Sequence, residues 1–305
     1  MSLTQSGTPM ARVPASTEPA GPVTTAPARR RRVGRERPNW LAGVLSVIWL
    51  LLVLVPLYYM VNGSFRTRQD YLTDNPLKPP GNPTLENYES VFTGGFGRYF
   101  VNNIVVTLGT VAIVVALTVP AAYAVARNAG PVVQRGFSVM LIGLAVPAQA
   151  TIIPVYLLIN QLHLYDTLLA IILPTAAFAL PVSLLVMTNS LRDIPNELYE
   201  AQTLDGAGAF GTLRHLVLPL ARPAITTVAV FTAMGAWNGF LFPLVLTQSS
   251  DQRTLTVGLT TFQSQFGTNV PGLLAAVTLS LLPIFFVYLF GRRYLLSGLT
   301  AGFGK

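Results

Sequence analysis

Polar side chains set in apolar runs are the first candidates for chemistry. Gln149 and Thr151 stand between Pro147 and Pro154, and Asn238 lies between Trp237 and Phe240 with Gly239. An amide or hydroxyl at such a position could replace the water that a polar solute loses in hydrocarbon. The Trp237 and Phe240 rings could stack on a sugar face. Each residue could also serve as an ordinary contact between helices. A second group is acidic and sits in one stretch: Asp193, Glu197, Glu200 and Asp205. Reactive groups are otherwise scarce. There is no Cys, which excludes disulfides, thiolate metal ligation and a cysteine nucleophile. The only histidines, His163 and His215, are far apart, so no multi-histidine metal centre is expected. No converging acid, base and nucleophile mark an enzyme, and no cofactor is expected.

The elements that must position these residues follow from hydropathy. Of 305 residues, 10% are charged and 51% hydrophobic. Soluble domains carry about 25% charged residues. So few charges cannot cover a soluble surface, whereas lipid needs no such covering. A membrane-spanning helix needs about 20 mostly apolar residues. Six stretches qualify: Trp40–Val61, Ile104–Val125, Phe137–Ile159, Leu168–Met187, Ala224–Thr247 and Leu273–Phe290. The expected class is an all-α polytopic membrane protein. Every span contains proline, which removes a backbone donor and can kink a helix.

Residues 1–38, rich in Pro, Ala, Thr and Ser, read as a disordered tail. It ends in Arg29, Arg30, Arg31, Arg32, Arg35 and Arg37. Beside an apolar span, such a run reads as a topology anchor rather than a nucleic-acid site. Six spans put both termini on one side. Fifteen Lys and Arg then fall on that side against five on the other, which predicts cytoplasmic termini in a cell membrane. Without the tail the split is eight against five. Residues 39–305 form the expected six-helix transmembrane domain, with an inside loop over 188–223.

That loop reads as two short helices. Pro195 suits a helix start, and Glu197 and Glu200 favour its positive end. Leu198, Ala201, Gln202 and Asp205 are expected on one face. Gly206 and Gly208 permit a turn. Phe210, Leu213, Leu216 and Val217 are expected to share the apolar face of the second helix. The first helix is acidic, which suits a protein partner better than anionic lipid.

The spacing carries a resemblance. Glu200-Ala201-Gln202, three residues, Gly206, nine residues and then Leu216-Val217-Leu218-Pro219 resembles the EAA loop of binding-protein-dependent ABC importer permeases. Gln202 replaces the pattern's second Ala and Leu216 its Ile. Leu85-Glu86-Asn87-Tyr88 and the run Ala121 to Arg127 are similar to further segments of that family, and the run Ser297 to Gly302 is similar to the ending of the maltose-type carbohydrate permeases. Trp237 to Leu244 is similar to a segment of the sugar permeases, with Gly239 where an acidic residue often stands.

The resemblance implies a MetI-like six-helix permease that carries a sugar or oligosaccharide. It implies that Glu200, Ala201, Asp205, Gly206, Leu218 and Pro219 couple to an ATPase on a separate subunit. The implied partners are a second, different permease subunit, two cytoplasmic ATPases, an extracytoplasmic solute-binding protein and membrane lipid. The substrate path would use Gln149, Thr151, Trp237, Asn238 and Phe240. Two alternatives are a sugar phosphate or polyol as the solute, and a secondary transporter. The spans contain no deep acidic or basic residue, which disfavours proton coupling.

Overall fold

The computed structural model describes residues 40–127, 130–264 and 267–301, with side chains described outside 262–268 and 290–301. The expected tail 1–38, its arginines and residues 302–305 lie outside the described residues. The chain divides at Trp49 and Leu50. Of the first unit, residues 40–49 begin a helix and are exposed throughout.

The helices in chain order are α1 (Trp40–Ser64), α2 (Arg68–Thr73), α3 (Glu86–Thr93), α4 (Phe96–Arg127), α5 (Pro131–Ile142), α6 (Ile152–Gln161) and α7 (Leu168–Arg192). They continue with α8 (Asn196–Leu204), α9 (Ala209–Thr212), α10 (Leu218–Leu220), α11 (Arg222–Trp237), α12 (Leu241–Leu246), α13 (Leu255–Gly258) and α14 (Val270–Ala301). A small antiparallel hairpin, β1 (Gln263–Ser264) with β2 (Gly267–Thr268), is the exception to an all-α chain among the described residues.

Among the described residues, four helices are long and apolar enough to cross a membrane: Trp40–Ser64, Phe96–Arg127, Leu168–Arg192 and Val270–Leu289. The other two expected spans are not single helices. Pro131–Ala145 and Ala148–Gln161 meet at 97°. Between them Val146 and Pro147 are extended, with ψ of 112° and 131°. Pro147 has no N–H to continue the ladder, so the break falls there. The fifth stretch breaks between Trp237 and Leu241, where α11 stops and α12 restarts. Its helix is entered through a 75° bend from Ala209–Leu220. Counting each bent pair as one span gives six. Pro56, Pro120, Pro174, Pro181 and Pro283 sit inside unbroken helices. Proline alone therefore did not locate the breaks.

In the second unit α4 packs along α7 and α11, and α11 packs on α14. Gly109 permits the close approach of α4 to α7, because a Cβ there would meet Ile172 Cδ1 at 2.9 Å. The main apolar cluster joins Val114, Val119 and Ala122 of α4, Leu184, Met187 and Leu191 of α7, and Ala224 and Val228 of α11. In lipid, burying apolar groups gains little, so close packing and interhelical hydrogen bonds hold such helices.

The end of α4 that begins at Phe96 is pinned by amides. Asn102 Nδ2 donates to the Asp251 and Arg253 carbonyls at 2.8 and 2.9 Å. Nearby loops are similarly fastened. Arg66, 1% exposed, donates to the Asn75 carbonyl at 2.9 Å and to that of Lys78. Asp166, held at φ 60°, accepts from the Gln248 and Ser249 N–H groups at 2.8 and 3.0 Å and from Ser249 Oγ at 3.1 Å.

Candidate coupling elbow and solute cleft

The loop between α7 and α11 is a structured elbow. Helix α7 runs to Arg192, five residues past the expected end of its span, so the elbow occupies residues 193–221. Helix α8 starts directly after Pro195, and Glu197 lies in its first turn. It ends in a Schellman turn: the Gly206 N–H donates to the Thr203 carbonyl at 3.1 Å, and the Ala207 N–H to that of Gln202 at 2.9 Å. Gly206 has φ +77°, a region costly for residues with a Cβ. No atom lies within 4 Å of where its Cβ would stand. The glycine is therefore required by backbone angle and not by crowding.

The face expected on α8 is its exposed one, and it is in the second helix that the faces differ from those expected. Leu198, Ala201 and Asp205 are exposed, and the buried residue of α8 is Tyr199, 3% exposed. In the second half Thr212 and Val217 are buried, while Phe210 is 75% exposed. The cause is a π-helical turn over Leu213–Val217. A wider turn shifts the register, so a 3.6-residue count across it misplaces the faces. Tyr199 and Val217 belong to the same apolar cluster as α4, α7 and α11. The elbow thus continues the helix core, and it carries Glu200, Leu204 (89% exposed), Asp205, Gly206 and Phe210 on its outside. Leu218 and Pro219 are exposed on α10.

Tyr199 is the functional candidate that pattern reading missed. Its ring lies 6.2 Å from that of Tyr123, with planes 20° apart, and 4.1 Å from the Arg127 guanidinium carbon. Arg127 also donates to Asn196 Oδ1 at 2.6 Å. Burial raises the Tyr199 phenol above its ordinary pKa, with Arg127 opposing. The one available signal was a lone tyrosine in an acidic helix, since Arg127 lies 72 positions away in the sequence.

Only part of the expected solute set comes together. Gln149 and Phe240 line one cleft of about 330 Å³, with Phe178, Phe231 and Thr232. Thr232 is 3% exposed, and its hydroxyl has no partner among the described residues. Thr151 donates to the Ala148 carbonyl at 2.8 Å, within the same 3₁₀ turn as Gln149. Trp237 is not in this cleft. It is 7% exposed, donates to the Ser280 carbonyl at 3.2 Å and meets Phe100 edge-on at 5.8 Å. Its ring is packed between helices rather than offered for stacking. Asn238 is exposed and donates back to the Met234 carbonyl at 2.9 Å.

These observations agree with the comparisons. Residues 118–300 match the family model described as the binding-protein-dependent transport system inner membrane component. ORF2 of Caldicellulosiruptor sp. (strain Rt8B.4), named as an ABC transporter permease protein, is 36% identical over 268 residues, 88% of this chain and 97% of that protein. The diacetylchitobiose uptake system permease protein NgcG of Streptomyces coelicolor is 29% identical, over 86% of this chain and 87% of its own length. The arabinooligosaccharides transport system permease protein AraQ of Halalkalibacterium halodurans is 28% identical, over 87% and 95%.

A crystal structure of a bacterial ABC transporter involved in the import of the acidic polysaccharide alginate contains a chain similar to this one. The TM-score is 0.75 at 23% identity, covering 84% of this chain and 95% of that one. That likeness concerns the fold. The chain belongs to the family of binding-protein-dependent transport system inner membrane components. It is a multi-pass membrane permease.

Proposed function

We propose that the chain forms part of the path for a sugar or oligosaccharide and takes its driving work from a separate ATPase that docks on the elbow 193–221. Membership of an ABC permease family is the frame. The observation that carries the docking reading is the elbow's two-sidedness. Tyr199 and Val217 are built into the helix core, while Leu204 and Phe210 are 89% and 75% exposed on the other side. Large apolar side chains on a polar elbow suit a protein surface better than water.

A neutral solute is favoured by the cleft, whose lining holds Gln149, Thr175 and Thr232 but no Lys or Arg. A sugar phosphate would call for cations there. The sugar systems named among the relatives point the same way. The full assembly would pair this chain with a second, related permease, two cytoplasmic ATPases and an extracytoplasmic binding protein. The elbow and both termini would then lie in the cytoplasm.

Gly206→Asp tests the docking. A Cβ at 206 would meet nothing within 4 Å beyond its chain neighbours, and Asp tolerates φ > 0 better than most residues. The strain of Asp at φ +77° is confined to an exposed turn and costs about 1–2 kcal/mol, so the variant should fold and insert, which its yield in the membrane checks. A tagged chain should then lose the ATPase that co-purifies with its parent, and sugar uptake should stop. Unchanged recovery and uptake would sink the reading.

A further inference from the structure

Helix α8 holds to its own chain through very little. Glu197, Leu198, Glu200, Ala201, Thr203 and Leu204 are exposed, and Tyr199 is its buried side chain. Nine residues do not make a stable helix on their own. Tyr199 shares its apolar cluster with Leu191 and Val217, and both of its ring partners come from one end of α4. Tyr123 and Arg127 are one turn apart and so share a helix face. Both reach α8: Tyr123 stacks on the Tyr199 ring, and Arg127 lies 4.1 Å over it while donating to Asn196 Oδ1 at 2.6 Å.

We propose that Arg127 is a positioning residue that fastens the elbow's first helix to α4, so that a displacement imposed on α8 is delivered to α4 rather than lost by pivoting. The chemistry suits arginine specifically. A planar guanidinium can lie on a ring face and still donate sideways in its own plane, which an ammonium on a flexible stem cannot do in one fixed geometry. The Tyr199 hydroxyl has no partner among the described residues, and Arg127 lies over the ring face, so the ring and not the phenol is what Arg127 grips. Helix α4 is continuous over 32 residues, roughly 48 Å. Toward its other end Asn103 holds the Trp237 carbonyl at 3.2 Å, at the break between α11 and α12. Arg127 therefore ties the elbow to the helix that also holds this break. The mechanical role rests on the proposed ATPase docking, whereas the fastening itself does not.

The chain has no native Cys, so two introduced thiols report alone. Spin labels at Thr203→Cys on α8 and Ala124→Cys on α4, in the full-length chain in lipid, give their distance distribution. The parent should give one narrow peak. Arg127→Gln should broaden it about twofold, with Arg127→Lys in between, while Tyr199→Phe should stay as narrow as the parent. Asn196→Ala, which removes only the acceptor, should also broaden it and serves if Arg127→Gln fails to insert. A narrow peak in Arg127→Gln, or in Asn196→Ala where the former cannot be made, overturns the fastening. So does broadening by Tyr199→Phe. In the assembly purified through this chain, Arg127→Gln should lower ATP hydrolysis about tenfold while the ATPase still co-purifies; unaltered hydrolysis overturns the mechanical role. If the parent recovers no ATPase, the docking reading fails while the distance measurement keeps its meaning.

Discussion

The Asn103 side chain donates to the Trp237 carbonyl at 3.2 Å across 134 positions of sequence. Asn103 is 1% exposed, and Trp237 ends α11. A carbonyl at a helix end has no partner in its own helix, and in an apolar setting an unpaired one is costly. Asn103→Leu should therefore destabilise the chain by about 1–3 kcal/mol. Thermal unfolding in detergent would measure it. An Asn103→Leu chain as stable as the parent would mean that the carbonyl finds another partner.

Gly258 packs against the face of Tyr99. A Cβ at 258 would lie within 3.0 Å of three ring carbons, at a position buried on α13. Gly258→Ala should cost about 1–3 kcal/mol through overpacking. Combining it with Tyr99→Leu should recover part of that loss, because neighbours couple. Additive losses in the double variant would locate the cost elsewhere.

Asp166 gives its contact with residues 248–249 a pH dependence. Burial alone would raise its carboxyl, but the N–H groups of Gln248 and Ser249 and the Ser249 hydroxyl outweigh it and hold the pKa below the ordinary value of 3.8. A depressed pKa contributes stability above the unfolded value, and this is lost as pH falls through the folded value. Nothing should change between pH 5 and 8. The stability difference between the parent and Asp166→Asn should shrink as the pH drops below about 4. A difference constant down to pH 2 would contradict this.

Thr232 separates folding from transport. Its hydroxyl is buried, has no partner among the described residues and is set in the lining of the cleft with Gln149 and Phe240. Removing such a group while keeping the shape is close to neutral for folding. Thr232→Val should shift stability by less than about 1 kcal/mol, and uptake should fall severalfold if the solute uses that hydroxyl. Full uptake by a stable Thr232→Val chain would exclude the hydroxyl from the path.

Local chemistry was readable where its cause was local. Runs of about 20 apolar residues must avoid water, so the long helices could be read from hydropathy. Gly206 could be read as a turn because only backbone angle is at stake, and the angle and the Schellman hydrogen bonds agree. Periodicity was less reliable. The π-helical turn at Leu213–Val217 shifted the face of the second elbow helix, so Phe210 points outward; on α8 the buried anchor is Tyr199, which lies outside the set that spacing had placed on one face.

Sequence alone determined that the chain is built on helices, that it belongs in lipid and that one elbow keeps a family's spacing. Composition, hydropathy and a glycine's freedom depend on near neighbours only. Tertiary structure decided that the third and fifth spans break, that Trp237 is packed away from Phe240 and Gln149, and that Arg127 meets Tyr199. Those outcomes depend on which distant helices supply the missing hydrogen bonds and fill the space, and no window of adjacent residues carries that information.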